Sequence, residues 1–200
     1  LRENNWEPYF HLLAQSERIY KAKSLLKKLT DPYTIIEVVR IVGADCFVTE
    51  LAEVAARFPA SEEIVICFAE ALKSKGKLTE AIKVIHDAFM RIGTPTLMKT
   101  LIELSEETGA DTITLLEDGV KQFPSDSSLW LKLASFSPNK KDILRKAAVQ
   151  CPNSDEIQFE MIQIAKEEGL AKPRIRALIE RALRLCPGSK LLQTELSEYG

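Results

Sequence analysis

Two stretches decide the fold: Phe123-Pro124-Ser125-Asp126-Ser127-Ser128-Leu129-Trp130-Leu131-Lys132-Leu133-Ala134, and, after a short interval, Ala147-Ala148-Val149-Gln150-Cys151-Pro152-Asn153-Ser154. They contain one junction written twice, Phe-Pro-Ser-Asp and Cys-Pro-Asn-Ser. Each junction follows its proline with a short oxygen-bearing side chain, Asp126 or Ser154, of the kind that caps a helix N-terminus. An apolar residue, Leu129 or Ile157, stands five positions after each proline. Between the junctions the breaker Ser137-Pro138-Asn139 divides the interval into two helical stretches. The second carries Ile143-Leu144 and the small Ala147 on one face, which lets a neighbouring helix approach closely.

The same unit recurs outward in both directions. Pro8, Pro32, Pro59, Pro95, Pro124, Pro152 and Pro187 are spaced 24, 27, 36, 29, 28 and 35 residues apart. Ser61 and Ser189 repeat the cap, Ile64 and Leu192 the apolar site, and Gly43, Gly76, Gly109 and Gly169 the breaker. Leu115-Leu116 with Gly119, and Leu178-Ile179 with Ala182, repeat the second helix. Pro59 has a looser copy with Leu51 and Ala55; before Pro95 the stripe Ala81, Ile85, Ala88 is shifted by about three residues. Near the start, Asn5 to Ala14 and Ser16 to Leu29 read as one helical pair burying Ala22, Leu25, Leu26 and Leu29, and Asp31-Pro32 caps the next. One helical hairpin cannot bury its apolar face alone and must stack on another. The expectation is an all-α, right-handed α-solenoid of ten to twelve antiparallel helices. It forms a single array over 1–200, with repeats near 1–30, 31–57, 58–93, 94–122, 123–150, 151–185 and a partial 186–200.

Composition narrows the function. The chain has 200 residues, 46% hydrophobic and 28% charged, with a formal net charge of −2. It lacks the basic excess that attracts phosphate backbones, so proteins rather than nucleic acid are the expected partners. Apolar runs are only a few residues long and no basic-then-apolar leader opens the chain, so a soluble protein without membrane contact is expected. The start at Leu1 suggests a piece of a longer repeat protein. Cys151 and Cys186 fill the site taken by Phe58 and Phe123, which marks them as packing residues. Cys46 and Cys67 complete no ligand spacing, and the thiols point to a reducing compartment. His11 and His86 are isolated in sequence.

The junctions resemble the HAT (half-a-TPR) branch of the tetratricopeptide superfamily: proline, polar residues, an apolar residue and Trp130, then an alanine-bearing helix and Cys151-Pro152-Asn153-Ser154. The likeness covers about residues 58–198 and includes Ala182-Leu183-Arg184-Leu185-Cys186-Pro187-Gly188-Ser189. It departs from the pattern where Val65, Met98 and Gln158 stand near the tryptophan position, and Glu70 and Glu103 keep only part of its acidic site. The resemblance implies a non-enzymatic protein–protein scaffold, nuclear, within an RNA-processing particle such as the spliceosomal tri-snRNP. Scaffolds of mRNA 3′-end processing or ribosome biogenesis, and a peptide-binding TPR adaptor in the cytoplasm, are the alternatives it leaves.

No sequence pattern of a nucleotide-binding loop, nucleophile elbow or metal-binding helix is present, and neither enzyme activity nor a cofactor, metal or small-molecule substrate is expected. The acid runs Glu62-Glu63, Glu106-Glu107 and Glu167-Glu168 are expected to be solvated. The carboxylate clamp of chaperone-tail receptors needs Asn inside helices, yet Asn4, Asn5, Asn139 and Asn153 all fall at the chain start or in turns. The candidate partner-binding residues are Arg174, Arg181 and Arg184. They share a strip opposite the buried side marked by Ile175, Leu178, Ile179 and Ala182, and their forks suit the carboxylates of an acidic protein partner or, as the lesser alternative, the phosphates of RNA. Trp130 is expected to pack between repeats.

Overall fold

The computed structural model describes residues 6–199, and among these every regular element is helical. Contacts divide the chain into two compact units, Leu1–Ala110 and Asp111–Gly200. The division falls inside the interval read as the repeat 94–122. The first unit holds α1 (Trp6–His11), α2 (Gln15–Lys28), α3 (Pro32–Val42), a 3-10 turn (Ala44–Phe47), α4 (Val48–Arg57), α5 (Glu62–Ser74), α6 (Leu78–Ile92) and α7 (Pro95–Glu107). The second holds α8 (Ile113–Gln122), α9 (Ser127–Phe136), α10 (Lys140–Gln150), α11 (Asp155–Glu167), α12 (Lys172–Leu185) and α13 (Lys190–Ser197). Thirteen α-helices among the described residues exceed the ten to twelve expected. The fold is an α-solenoid class of stacked helix pairs. In the first unit α1, α3, α5 and α7 touch in succession as one layer and α2 packs on α4 in the other; in the second, α11 touches α13.

The proline junction is one small structure built four times. Phe58, Phe123, Cys151 and Cys186 each end a helix, with φ between −123° and −128° and ψ between 60° and 65°. Each N–H closes the last helical turn, and each carbonyl accepts from the residue three positions on, at 3.0–3.2 Å. Proline occupies the second position of that turn, where its fixed φ is already correct. The fourth turn residue becomes the cap. Asp126, Ser154 and Ser189 accept from helix N–H groups. Ser61 holds the same place but makes no cap bond; its hydroxyl lies 3.3 Å from Glu63.

Pro32 and Pro95 do a different job. Each is the first residue of its own helix, capped by Asp31 or Thr94, and α6 ends on left-handed Gly93. With no turn residues between cap and proline, α7 begins three residues early relative to its proline. Ile85 and Ala88 lie ten and seven residues before Pro95, where Leu116 and Gly119 lie eight and five before Pro124. The shift is two residues rather than the three expected, because the interval from stripe to helix start is one residue shorter here. The shifted stripe in the sequence has this local cause.

The glycine breakers after α5, α7 and α11 share a geometry too. Gly76, Gly109 and Gly169 have φ of 73°, 71° and 74°. In each, the following N–H bonds back across six residues (Lys77 to Leu72, Ala110 to Ser105, Leu170 to Ala165), which satisfies carbonyls that would otherwise be orphaned.

The second-helix stripe is the packing face. Leu116, Leu144, Ala147 and Ile179 are fully buried, as is Ala182 to within 2%. In the copy before Pro59 the small site is filled by Val54, fully buried, and the expected Ala55 is only half-buried. Ala22 and Leu26 are buried as expected, while Leu25 and Leu29 pack against that core from its edge; Asn5 lies outside the described residues. Arg57 then ties the stack together, donating to the carbonyls of Leu26 and Leu29 at the end of α2 and lying 5.1 Å over the Phe58 ring. Ala147→Leu and Ala182→Leu are each expected to lower unfolding free energy by about 1–3 kcal/mol through overpacking. Urea titration followed by circular dichroism reads this, and two neutral substitutions would show that this face does not set the helix spacing.

Candidate protein-interaction surface

α12 is built to show one face and hide the other. Ile175, Ile179 and Ala182 are buried and pack with Ile162 of α11 and Leu192 of α13. Arg174, Arg181 and Arg184 are exposed on the opposite side, as the spacing predicts. Helical rise sets them along about 15 Å of the axis. Arg176 spends its guanidinium on Glu180 at 3.0 Å. The other three form no ion pair among the described residues, so their planar donors remain open to bidentate acceptors.

Trp130 is a packing residue with a polar tether. Its side chain is 8% exposed and its Nε1 donates to the Pro124 carbonyl at 2.8 Å. The departures from the tryptophan pattern now acquire a reason. Gln158 and Gln193 occupy the same position six residues after proline, and their Nε2 donors reach the carbonyls of Pro152 and Pro187 at 3.1 and 3.2 Å. An amide thus replaces the indole donor. Val65 and Met98, both 2% exposed, replace only its bulk.

The acid runs are more engaged than expected. Glu107 pairs with Lys73 of α5, Glu168 pairs with Lys141 of α10, and Glu63 meets the Ser61 hydroxyl. The sequence places the two lysine partners 34 and 27 residues away, about one repeat, where charge pairs staple successive helices. Glu62 and Glu106 are half-buried and Glu167 is exposed.

The thiols are buried except for half-buried Cys46, and all four are free. Burial is the first cause raising every one of them, pushing Cys67 to about 11; the neighbouring Asp126 raises Cys151 further, and Asp155 does so for Cys186. Such thiols stay protonated and pack. Cys151 also donates weakly to the Pro124 carbonyl at 3.3 Å. His11 and His86 lie 3.7 Å from Glu7 and Asp87 on the surface. Among the described residues no cluster of three or more His, Cys, Asp or Glu could hold a metal ion, and no helix is long and apolar enough to cross a membrane.

No protein-family profile matches the sequence, and no curated protein is significantly similar to it. Solved structures match it in fold. The C-terminal part of a TPR repeat-containing protein from Cytophaga hutchinsonii aligns at TM-score 0.53 and 13% identity, covering 90% of this chain and 69% of that one. A thermophilic TPR protein of Thermus thermophilus, TTC0263, aligns at TM-score 0.45 and 14% identity over 93% and 98% of the two chains. YrrB, a TPR protein with an unusual peptide-binding site, does so at 0.47 and 12% over 90% and 97%. The alignment at TM-score 0.53 gives the chain a TPR-like helical-repeat fold.

Proposed function

We propose that this chain is a non-enzymatic protein–protein scaffold of the HAT type, one continuous array working in the nucleus within an RNA-processing particle, with the spliceosomal tri-snRNP as its setting. The observation that carries the scaffold reading is the two-faced α12: its packing side is fully used, and its outer side presents three arginines without an ion pair among the described residues. The finer assignment rests on the junction motifs. The order of Thr96-Leu97-Met98-Lys99-Thr100 and Ala182 to Ser189 resembles the repeat region of pre-mRNA-processing factor six, the bridging protein of the tri-snRNP. Binding works by shape and patch complementarity, with the energy concentrated in a few anchors.

Pull-down from nuclear extract with quantitative identification of partners tests this. Enrichment of spliceosomal proteins is the expected result; enrichment of chaperones instead would make the chain a peptide adaptor. Replacing Arg174, Arg181 and Arg184 together by Ala should leave stability within about 0.5 kcal/mol per site. Partner recovery should nevertheless fall, with an altered salt dependence. A triple variant that retains every partner at low salt would reduce the strip to a solvated face.

A further inference from the structure

Within the first unit, α1, α3 and the start of α5 enclose a groove of about 810 Å³. Pro32, Ile36 and Ile41 give it an apolar lining, with both isoleucines half-buried. Tyr33 lines the same groove yet is 76% exposed, so most of an aromatic ring stands in water. The polar walls are carboxylates: Asp31 and Glu37 from α3 and its cap, Glu63 from α5, and Glu7 from α1, against the single cation Arg40.

The next groove along this layer, between α5 and α7, repeats the design. It measures about 510 Å³, with Ile66 and Leu104 as apolar lining and Glu70, Glu103, Glu106 and Glu107 as walls. Its one lining lysine, Lys73, is already paired with Glu107. Aliphatic lining with anionic walls thus recurs across three helices that touch in succession. A ligand fitting this surface must bring aliphatic side chains for the lining and positive charge for the walls. Lys or Arg can also lie over an exposed tyrosine face. A phosphate or carboxylate ligand would meet like charge.

We propose that the α1–α3–α5 groove docks a lysine- and arginine-rich segment of a partner protein. Its aliphatic side chains sit on Ile36 and Ile41, and its cations face Glu37, Glu63 and Asp31. This rests on the scaffold reading and adds the sign of the partner. That sign is opposite to the anionic partner suited to the α12 arginines, so the chain carries two surfaces selecting opposite chemistries. Two bonds from Thr34, to Oδ2 at 2.8 Å from the amide and 2.5 Å from the hydroxyl, hold the Asp31 carboxyl below the usual range and keep it anionic.

Fluorescence anisotropy on the whole chain tests the proposal with two labelled synthetic peptides, one alternating Lys and Arg with Leu and the other carrying Glu at the basic positions. The cationic peptide should bind saturably and weaken with salt, and the anionic one should not bind. Glu37→Gln with Glu63→Gln should weaken the cationic peptide by about ten-fold or more. Tyr33→Ala, at an exposed site, should weaken it several-fold with an unchanged melting curve. Glu117→Gln with Glu167→Gln, in the second unit, should change it by less than about two-fold. Equal binding of both peptides, no saturation, or equal losses from the two double variants would overturn the groove assignment. Partners still recovered in the pull-down would in that case leave the scaffold reading standing.

Discussion

Trp130→Ala should lower the unfolding free energy by about 3–5 kcal/mol, the usual cost of emptying a large aromatic site in a core. The ring is 8% exposed, and its Nε1 holds the Pro124 carbonyl at 2.8 Å. Truncation therefore opens a cavity and removes the stronger donor to that carbonyl, leaving it the Cys151 thiol at 3.3 Å. Two further variants separate the effects. Trp130→Phe keeps most of the burial and loses the bond, at an expected cost of about 1 kcal/mol from the hydrogen bond. Trp130→Gln loses the burial and keeps the bond, as Gln158 and Gln193 do in their own repeats. It should fall between Phe and Ala. Urea denaturation followed by far-ultraviolet circular dichroism ranks the three, and a loss below about 1 kcal/mol for Ala would mean the ring is surface rather than core.

The ranking matters because it concerns a position where the sequence pattern broke down. Tryptophan, glutamine, valine and methionine share no hydropathy, so no periodicity connects Trp130 with Gln158, Gln193, Val65 and Met98. What they share is a place six residues after the turn proline, or three after Pro95 where the proline itself begins the helix. For Trp130, Gln158 and Gln193 the equivalence rests on a side chain to backbone bond, which becomes visible only when the turn has been built; Val65 and Met98 share only the place and the burial. The prolines themselves were legible because a fixed φ is local chemistry, and the stripe Leu116, Leu144, Ile179 was legible because burial follows helical period.

Electrostatic pairing was read less well, for a related reason. Glu107 and Glu168 looked like solvated ends because charge neighbours within one helix lie three or four residues away. Their partners, Lys73 and Lys141, sit on other helices. The exposure of Arg174, Arg181 and Arg184 could be read from one helix, since it depends only on which side Ile175 and Ile179 occupy. The anionic grooves of the first unit could not. Glu37 and Tyr33 come from one helix and Glu63 from another, and each alone reads as an ordinary surface residue.

Lys166→Met should cost about 3 kcal/mol, near the low end for removing one partner of a buried ion pair, because Lys166 itself keeps some solvent contact. Its partner Glu195 on α13 is only 6% exposed. That carboxylate receives the Lys166 ammonium on Oε1 and the Gln163 amide on Oε2 at 3.3 Å, and the same ammonium lies 5.0 Å over the Tyr199 ring. Removing the cation strands a desolvated anion between α11 and α13. Adding Glu195→Leu to Lys166→Met removes the stranded charge, so the double variant should return to within about 1 kcal/mol of the parent. The hydrogen bond to Glu195, followed by attraction to it, raises the Lys166 ammonium above its ordinary 10.5. A folded value above the unfolded one means the contribution is complete below pH 10.5 and is lost as pH climbs through the folded value. Denaturation at neutral and strongly alkaline pH should therefore bring parent and Lys166→Met closer together as the ammonium titrates. A single variant as stable as the parent at neutral pH would show that water, not Lys166, satisfies Glu195.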